Sequence, residues 1–154
     1  MPNLFDAALR HLSARNCSER ELYQLLEKEF AHVADIDKNI EHTLNRLREM
    51  HLINDARAAE SLAYRYAQKG NRFIAQVLRQ KGMSSCVIEE TLTTLGPEIE
   101  RALEEARKKL RSLSNEEPRA IEVKLWNFLS SRGFSSDTLH QVIGQLKDDD
   151  LLVR

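Results

Sequence analysis

The sequence predicts an all-α protein in which three tandem three-helix modules form an elongated, curved array. The first observation is composition: the 154 residues are rich in Leu, Ala, Glu, Arg, Lys and Gln but include only five glycines and three prolines. The abundant residues lose little side-chain freedom in a helix. The second observation is a repeated apolar pattern, and a period of roughly 50 residues is typical of arrays whose units pack on their neighbours.

The repeat is clearest in the second half of the chain, where two segments match at an offset of 51 residues, from Gly82 to Gly133. These segments are Ile74-x-x-Val77-Leu78-x-x-Lys81-Gly82-Met83-Ser84-Ser85 and Leu125-x-x-Phe128-Leu129-x-x-Arg132-Gly133-Phe134-Ser135-Ser136. The first third matches more loosely, with four extra residues that we place within Ala31 to Asp35. We therefore predict modules at residues 1–53, 54–98 and 99–154.

In the first module, Ser18-x-x-Glu21 has the form of a capping box and predicts the start of the second helix. The second and third helices each carry an apolar stripe at helical spacing. The stripes are Leu22, Leu25 and Leu26, and Ile40, Thr43, Leu44 and Leu47.

The second module begins with a predicted helix over Asp55–Lys69, which Asp55 caps. We expect Gly70 to take the left-handed conformation that ends this helix. Asn71 caps the next helix, which ends in the same way at Gly82. A further helix follows from the two serines that come after Met83.

The third module begins with a predicted helix over Glu98–Arg111. A loop follows at Ser112–Pro118, because asparagine and proline there both disfavour helix. The last helix is predicted to end near Lys147, since the aspartates at 148–150 are unfavourable at the negative end of a helix.

The sequence contains no arrangement of residues that indicates catalysis. The two cysteines form neither a disulfide framework nor a metal set, the five histidines are scattered, and no phosphate-binding glycine loop is present. The aspartates at 148–150 lack the spacing of a calcium loop, so a solvated acidic segment is expected. We predict a protein that is not an enzyme, needs no cofactor or metal, has no membrane span and is cytoplasmic.

The most informative feature is the distribution of charge. The chain has a formal net charge of −1, yet from Arg57 to Lys81 the only acidic residue is Glu60. The basic residues of this stretch are Arg57, Arg65, Lys69, Arg72, Arg79 and Lys81. One interpretation is a solvated helix surface whose lysines favour helix ends. The other is a surface for an anionic partner, either nucleic-acid phosphate or an acidic protein.

Trp126 is the single tryptophan and also allows two interpretations. It is either an anchor for a partner or a side chain that fills space between the second and third modules, and we favour the second.

Several short motifs, in this order and spacing, resemble the RecX family of regulators of the recombinase RecA over nearly the whole chain. They are Leu12-x-x-Arg15 with Ser18-x-x-Glu21-Leu22, Leu52-Ile53-Asn54-Asp55-x-Arg57-x-Ala59, Lys69-Gly70 with Ile74-x-x-Val77-Leu78-x-x-Lys81-Gly82-Met83, and Leu125-x-x-Phe128-Leu129-x-x-Arg132-Gly133-Phe134. The resemblance implies a monomeric helical protein that lies in the groove of the RecA–single-stranded-DNA filament. It also implies inhibition of RecA's ATP hydrolysis, strand exchange and coprotease activity.

On this interpretation the basic residues contact either acidic RecA surface or the phosphates of single- or double-stranded DNA. The candidate set is Arg57, Arg65, Lys69, Arg72, Arg79, Lys81, Lys124 and Arg132. The alternative is a direct DNA-binding regulator of helix-turn-helix type, whose third helices would enter a groove. The helix predicted over residues 85–95 carries Glu89 and Glu90 but no basic residue, which is unfavourable for that role. A purely structural adaptor is a third possibility.

Overall fold

The computed structural model describes residues 3–15 and 17–152, and these residues form nine α-helices and no strand. The helices are α1 (Leu4–Ala14), α2 (Glu19–Glu29), α3 (Ile36–Glu49), α4 (Asp55–Arg65), α5 (Asn71–Gln80), α6 (Ser85–Thr94), α7 (Glu98–Ser112), α8 (Pro118–Ser131) and α9 (Ser136–Asp148). The all-α prediction is therefore confirmed. None of the described helices is both long and apolar enough to cross a membrane.

The chain divides into two compact units. The first unit combines residues 1–62 with 78–90, and the second combines residues 63–77 with 91–154. Helices α1 to α3 thus belong to the first unit and α7 to α9 to the second, while the middle third of the chain contributes to both. The module boundaries at 53 and 98 stay a prediction.

The core of the first unit is built from the stripes of α2 and α3. Leu22, Leu26, Ile40 and Leu47 have no exposed side-chain surface, and Leu44 is almost as buried. The spacing of three or four residues places each set on one face of its helix, so the two faces pack together with α1.

The capping box of α2 is formed as the sequence predicts. The Ser18 hydroxyl oxygen accepts a hydrogen bond from the Glu21 N–H at 3.1 Å, and a Glu21 carboxylate oxygen accepts one from the Ser18 N–H at 3.1 Å. The segment between α2 and α3 covers residues 30–35, whereas the matching segments cover residues 81–84 and 132–135. The connection of the first module is thus two residues longer than the matching ones (6 against 4), which accounts for two of the four extra residues.

The core of the second unit is formed by α7, α8 and α9. Leu125, Leu129 and Leu146 are fully buried, and Phe134 is nearly so. Trp126 packs at the edge of this core, with its ring centroid 4.8 Å from that of His140 in an edge-to-face contact. Its side chain thus packs on the core formed by α7, α8 and α9, and a position between the second and third modules stays a prediction.

Of the two predicted glycine helix ends, the one at Gly82 is confirmed and the one at Gly70 is wrong, while Gly133 forms a further end of the same kind. Gly82 and Gly133 have φ angles of +84° and +89°, the left-handed conformation that closes α5 and α8. Gly70 does not adopt that conformation, and α4 ends at Arg65 rather than Lys69. Residues 66–69 instead form tight turns, because contacts from the third module satisfy the carbonyl groups there.

The cap of α4 also differs from the prediction. The Asn54 side-chain oxygen accepts a hydrogen bond from the Arg57 N–H at 3.2 Å, so Asn54 takes the capping position that we assigned to Asp55. The Asp55 carboxylate instead accepts a hydrogen bond from the Glu19 N–H, at the beginning of α2. This bond is part of the first of two similar contact regions between modules, which we call junctions.

Candidate partner-binding surface

The first junction lies within the first unit and joins α2 to residues of the middle module. The Ser18 hydroxyl donates a hydrogen bond to the carbonyl of Lys81, just after α5. Asp55, at the start of α4, accepts a hydrogen bond from the Glu19 N–H at 3.0 Å. The Glu19 carboxylate in turn accepts two hydrogen bonds from the Arg48 guanidinium, from Nε at 2.7 Å and from Nη2 at 2.9 Å. The Ser18 hydroxyl and the Glu19 N–H, at the beginning of α2, thereby find partners.

The second junction lies within the second unit and uses equivalent positions. The Gly70 N–H donates to the carbonyl of Arg132, just after α8, at 2.8 Å. Glu98, at the start of α7, accepts a hydrogen bond from the Asn71 N–H at 2.6 Å. In both junctions, the beginning of a module's second helix meets the end of the next module's second helix. In both, a carboxylate from the next module's first helix completes the contact.

Glu98 is the most heavily hydrogen-bonded carboxylate of the second junction. Besides Asn71, it accepts bonds from the Thr138 hydroxyl at 2.6 Å and from the N–H and hydroxyl of Ser135, each at 3.2 Å. Burial raises the pKa of Glu98, but the hydrogen bonds from Thr138, Asn71 and Ser135 outweigh burial, so the pKa lies below its ordinary value. The carboxylate is therefore held in its charged form.

Asp55 shows the opposite balance in the first junction. Burial raises its pKa above the ordinary value, and this effect exceeds the lowering by the hydrogen bond from the Glu19 N–H. The neighbouring charge of Glu19 adds to the increase, while Arg48 opposes it. The two equivalent carboxylates consequently respond to pH in opposite directions.

Arg101 completes the second junction. Its guanidinium donates to the carbonyls of Ala67 and Lys69 at 3.0 and 3.1 Å and to the Asn71 side-chain oxygen at 2.8 Å. These carbonyls belong to the turns that replace the predicted end of α4. The long-range contact from Arg101 therefore explains why the helix stops at Arg65.

Half of the basic residues predicted to contact a partner have partners within the chain. Lys81 forms an ion pair with Glu21 at 3.4 Å, and Lys124 forms one with Glu116 at 2.8 Å. Arg132 pairs with Glu105 at 3.3 Å and lies over the Phe128 ring, 4.4 Å from its centroid. Lys69 lies 5.1 Å from the centroid of the Phe73 ring. These four side chains are oriented by intramolecular contacts.

The other half are arginines with exposed side chains. Among the described residues, Arg57, Arg65, Arg72 and Arg79 are all exposed and none forms an ion pair. We call this set the exposed arginines. Arg57 and Arg79 belong to the first unit, and Arg65 and Arg72 to the second.

Two of the exposed arginines share one face of α5. Arg72 and Arg79 are seven residues apart, which is about two helical turns or roughly 10 Å. Ile74 and Leu78 are buried on the opposite side of the same helix. The helix therefore presents its charged face to solvent while its apolar face is covered.

Tyr64 is a surface residue of α4, within the basic stretch from Arg57 to Lys81. Its side chain is 77% exposed, whereas its neighbour Ala63 is buried. In the sequence, Tyr64 directly precedes Arg65, and both side chains are exposed in the structure. A tyrosine beside an arginine is a common composition of protein and nucleic-acid contacts.

The described residues contain no group of histidine, cysteine and acidic side chains suited to a metal ion. In the acidic segment, Asp149 accepts a hydrogen bond from the Gln145 amide at 3.1 Å and lies 3.7 Å from the Arg107 guanidinium. Its contacts are thus those of a solvated helix end.

The fold defines a helical-repeat protein built from three-helix modules joined by repeated polar junctions. Residues 54–92 match the family model described as the second three-helix domain of RecX, and residues 97–143 match the third. The chain belongs to the RecX family of regulatory proteins.

The relatives that support this assignment match along almost their full length. The chain is 32% identical over 145 residues to the regulatory protein RecX of Chlorobium phaeobacteroides, covering 92% of each chain. It is 34% identical over 148 residues to that of Haemophilus influenzae strain PittGG, covering 92% of this chain and 93% of the relative. The crystal structure of RecX from Lactobacillus salivarius matches with a TM-score of 0.77 at 27% identity and 94% coverage of both chains. These relatives are named as regulatory proteins rather than enzymes.

Proposed function

We propose that this chain inhibits the recombinase RecA by binding the RecA–single-stranded-DNA filament. Binding suppresses ATP hydrolysis, strand exchange and coprotease activity. Membership of the RecX family supports the choice of partner. The observation that carries the proposed surface is the presence of four exposed arginines that form no ion pair with a described residue, in a chain whose net charge is −1.

The exposed arginines suit an anionic partner for a physical reason. A guanidinium binds a carboxylate or a phosphate through two parallel hydrogen bonds, and such charge-assisted bonds are stronger than neutral ones. Arginines that already hold an internal partner would have to break that contact first. We therefore assign the contact to Arg57, Arg65, Arg72 and Arg79, and we assign Lys69, Lys81, Lys124 and Arg132 to the protein's own structure.

Inhibition follows if the chain prefers one state of the filament. A ligand shifts an equilibrium only by its difference in affinity between two states. Several weak contacts made by successive modules act together, because the first contact raises the effective concentration of the next. A chain that holds several RecA subunits in one arrangement would slow the changes that accompany hydrolysis and strand exchange.

The test is RecA ATP hydrolysis on single-stranded DNA with this protein added at less than one copy per recombinase. We expect inhibition by the unmodified chain, and we expect the double variant Arg72→Glu with Arg79→Glu to lose it. Reversing two charges on one face of α5 replaces attraction by repulsion at each contact. Circular dichroism should show that the variant remains helical, because both side chains are exposed.

The matched control is Lys38→Glu with Arg119→Glu. Both residues are exposed, neither forms an ion pair with a described residue, and neither belongs to the proposed surface. Each double variant changes the formal net charge by the same amount, so the control separates a local contact from general repulsion. Equal loss in both variants would contradict the assignment to α5.

Absence of inhibition by the unmodified, folded chain would contradict the proposed function itself. A direct DNA-binding assay would then examine the helix-turn-helix alternative. The exposed acidic residues Glu89 and Glu90 on α6 make that alternative the less favourable one.

A further inference from the structure

A cavity of about 420 Å³ lies within the first unit, between the end of α1, the end of α3 and the beginning of α4. Leu12 and Ile53 form part of its apolar wall. Its polar lining consists of His51, Asn54, Arg57 and Ser61. The volume falls in the range of small-molecule sites, which are usually apolar clefts with a few polar groups that converge.

The polar lining of this cavity consists of hydrogen-bond donors that suit an anion. No Asp or Glu side chain of the described residues lines it. Arg57 contributes a guanidinium that forms no ion pair with a described residue, and Ser61 contributes a hydroxyl. Asn54 uses its side-chain oxygen to cap α4, which leaves its amide nitrogen as a donor. Charged residues make up 31% of the chain, yet the only charged side chain among the described residues of this lining, apart from the histidine, is the positive one of Arg57.

His51 lines this cavity at the point where α3 ends. It has a φ angle of +57°, in the left-handed region that favours glycine. Its N–H bonds the Arg48 carbonyl at 3.0 Å, and the next N–H, of Leu52, bonds the Leu47 carbonyl at 2.9 Å. This pair of bonds closes α3 as the corresponding pairs close α5 and α8 around glycines.

Gly82 and Gly133 hold this position at the ends of α5 and α8, where a side chain costs stability. Asp150, at the end of α9, also bears that cost, so the conformation alone does not single out His51. What distinguishes His51 is that it lines the cavity. A strained residue that lines a cavity supports the hypothesis that the cavity has a function.

We propose that this cavity binds a phosphate group, held by Arg57 and His51 with Ser61 and Asn54 as further donors. Arg57 supplies the charge and a planar pair of N–H groups that match phosphate oxygens. The phosphate comes either from free inorganic phosphate or from a nucleic-acid backbone. The second source rests on the proposed function, since single-stranded DNA is part of the RecA filament.

The test is an NMR titration of the full chain with inorganic phosphate, against sodium chloride at the same ionic strength. We expect saturable shifts of the His51 imidazole and the Arg57 Nε–H signals. Arg57→Gln should weaken phosphate binding by about tenfold or more, because the charge-assisted bonds are lost. Arg119→Gln removes an exposed arginine far along the sequence and should leave phosphate affinity unchanged.

His51→Gly separates binding from folding. Glycine should raise the melting temperature by about 2–4 °C, since it relieves the left-handed strain, and phosphate binding should nevertheless weaken. Asp150→Gly is the matched control, because Asp150 has a φ angle of +58° at the corresponding end of α9. It should raise the melting temperature similarly without weakening phosphate binding, and its loss of negative charge cannot reduce affinity for an anion.

A thymidine oligonucleotide distinguishes the two sources. Shifts of the same signals by the oligonucleotide, weakened by Arg57→Gln, would support a nucleic-acid phosphate. Shifts by inorganic phosphate alone would support a site for the free ion. The proposal is overturned if neither inorganic phosphate nor the oligonucleotide shifts the two signals, or if only a polyglutamate peptide shifts them. Neither result affects the proposed function, which depends on the RecA assay and on α5.

Discussion

Gly70 and Gly133 touch through their backbones. A Cβ atom built on Gly70 would overlap the carbonyl carbon and oxygen of Gly133 and the nitrogen of Phe134. The Gly70 N–H meanwhile bonds the Arg132 carbonyl at 2.8 Å. Gly70 is thus required for the close approach of two chain segments and not for an unusual backbone angle.

We expect Gly70→Ala to lower the free energy of unfolding by about 1–3 kcal/mol, the usual cost of forcing a methyl group into a packed site. Urea denaturation followed by circular dichroism measures the change. Gly144→Ala is the matched control: Gly144 lies in α9 with open space around it, so alanine should add about 0.5–1 kcal/mol. A Gly70→Ala protein as stable as the unmodified chain would show that this contact is not tight.

Glu98→Gln should reduce stability at neutral pH by about 2 kcal/mol, because an amide cannot replace a carboxylate that accepts four hydrogen bonds. The folded-state pKa of Glu98 lies below the ordinary value of 4.5, so an unfolded chain takes up the proton first as the pH falls. The stability provided by the charged form is complete above that value. It is lost as the pH falls through the folded-state pKa.

The difference in unfolding free energy between the unmodified chain and Glu98→Gln should therefore shrink below about pH 4.5. Denaturation curves at a series of pH values measure it. A difference that stays constant down to pH 3 would mean that the carboxylate charge does not matter to the second junction.

Asp55→Asn should have the opposite pH dependence. The folded-state pKa of Asp55 lies above the ordinary value of 3.8, so its contribution to stability is greatest below that value and is lost as the pH rises through the folded-state pKa. Asparagine keeps an oxygen to accept the Glu19 N–H and carries no charge. We expect the variant to match or exceed the unmodified chain at pH 7 and to lose that advantage in acid. A variant markedly less stable at pH 7 would contradict this expectation.

Arg101→Met should cost about 2–3 kcal/mol, because it leaves the carbonyls of Ala67 and Lys69 and the Asn71 side chain without their donor. Thermal unfolding measures the loss. Arg107→Met is the matched control, since Arg107 makes only an exposed ion pair at 3.7 Å, and such pairs contribute at most about 1 kcal/mol. Equal losses of stability in the two variants would show that the hydrogen bonds of Arg101 do not stabilise the second junction.

Most of the helices could be predicted because their signals are local. The Ser18 and Glu21 cap, the stripe from Ile40 to Leu47 and the glycine end of α5 each depend on residues within one or two turns. Such signals are complete in a short stretch of sequence. They appear in the structure as the pattern predicts.

The junctions could not be predicted in this way. Arg101 reaches the Ala67 carbonyl across 34 residues, and Asp55 reaches Glu19 across 36. Local propensity favoured an Asp55 cap and a helix that continues to Lys69, but tertiary contacts decided otherwise. The residues concerned are ordinary charged side chains, which carry no signal of their eventual partner.

The candidate surface could be predicted only in part, because ion pairs between residues far apart in the sequence carry no local signal. Counting charge along the sequence located the basic stretch, and all four exposed arginines lie within it. Counting could not separate Lys81 from Arg79, because the ion-pair partner of Lys81 is Glu21, 60 residues earlier. Arg132 likewise depends on Glu105, which precedes it by 27 residues.

The repeated junctions set an order of events during synthesis on the ribosome. The hydrogen bond from the Ser18 hydroxyl to the Lys81 carbonyl can form only after 63 further residues have been synthesised. Their synthesis takes roughly 3–13 s at about 5–20 residues per second. When α5 leaves the ribosome, its partners in the first unit have already emerged, whereas Glu98 and Gly133 have not. Until they follow, the nascent chain carries Ile74 and Gly70 without the contacts that later cover them, and this interval is when a chaperone or a protease has access to the middle of the protein.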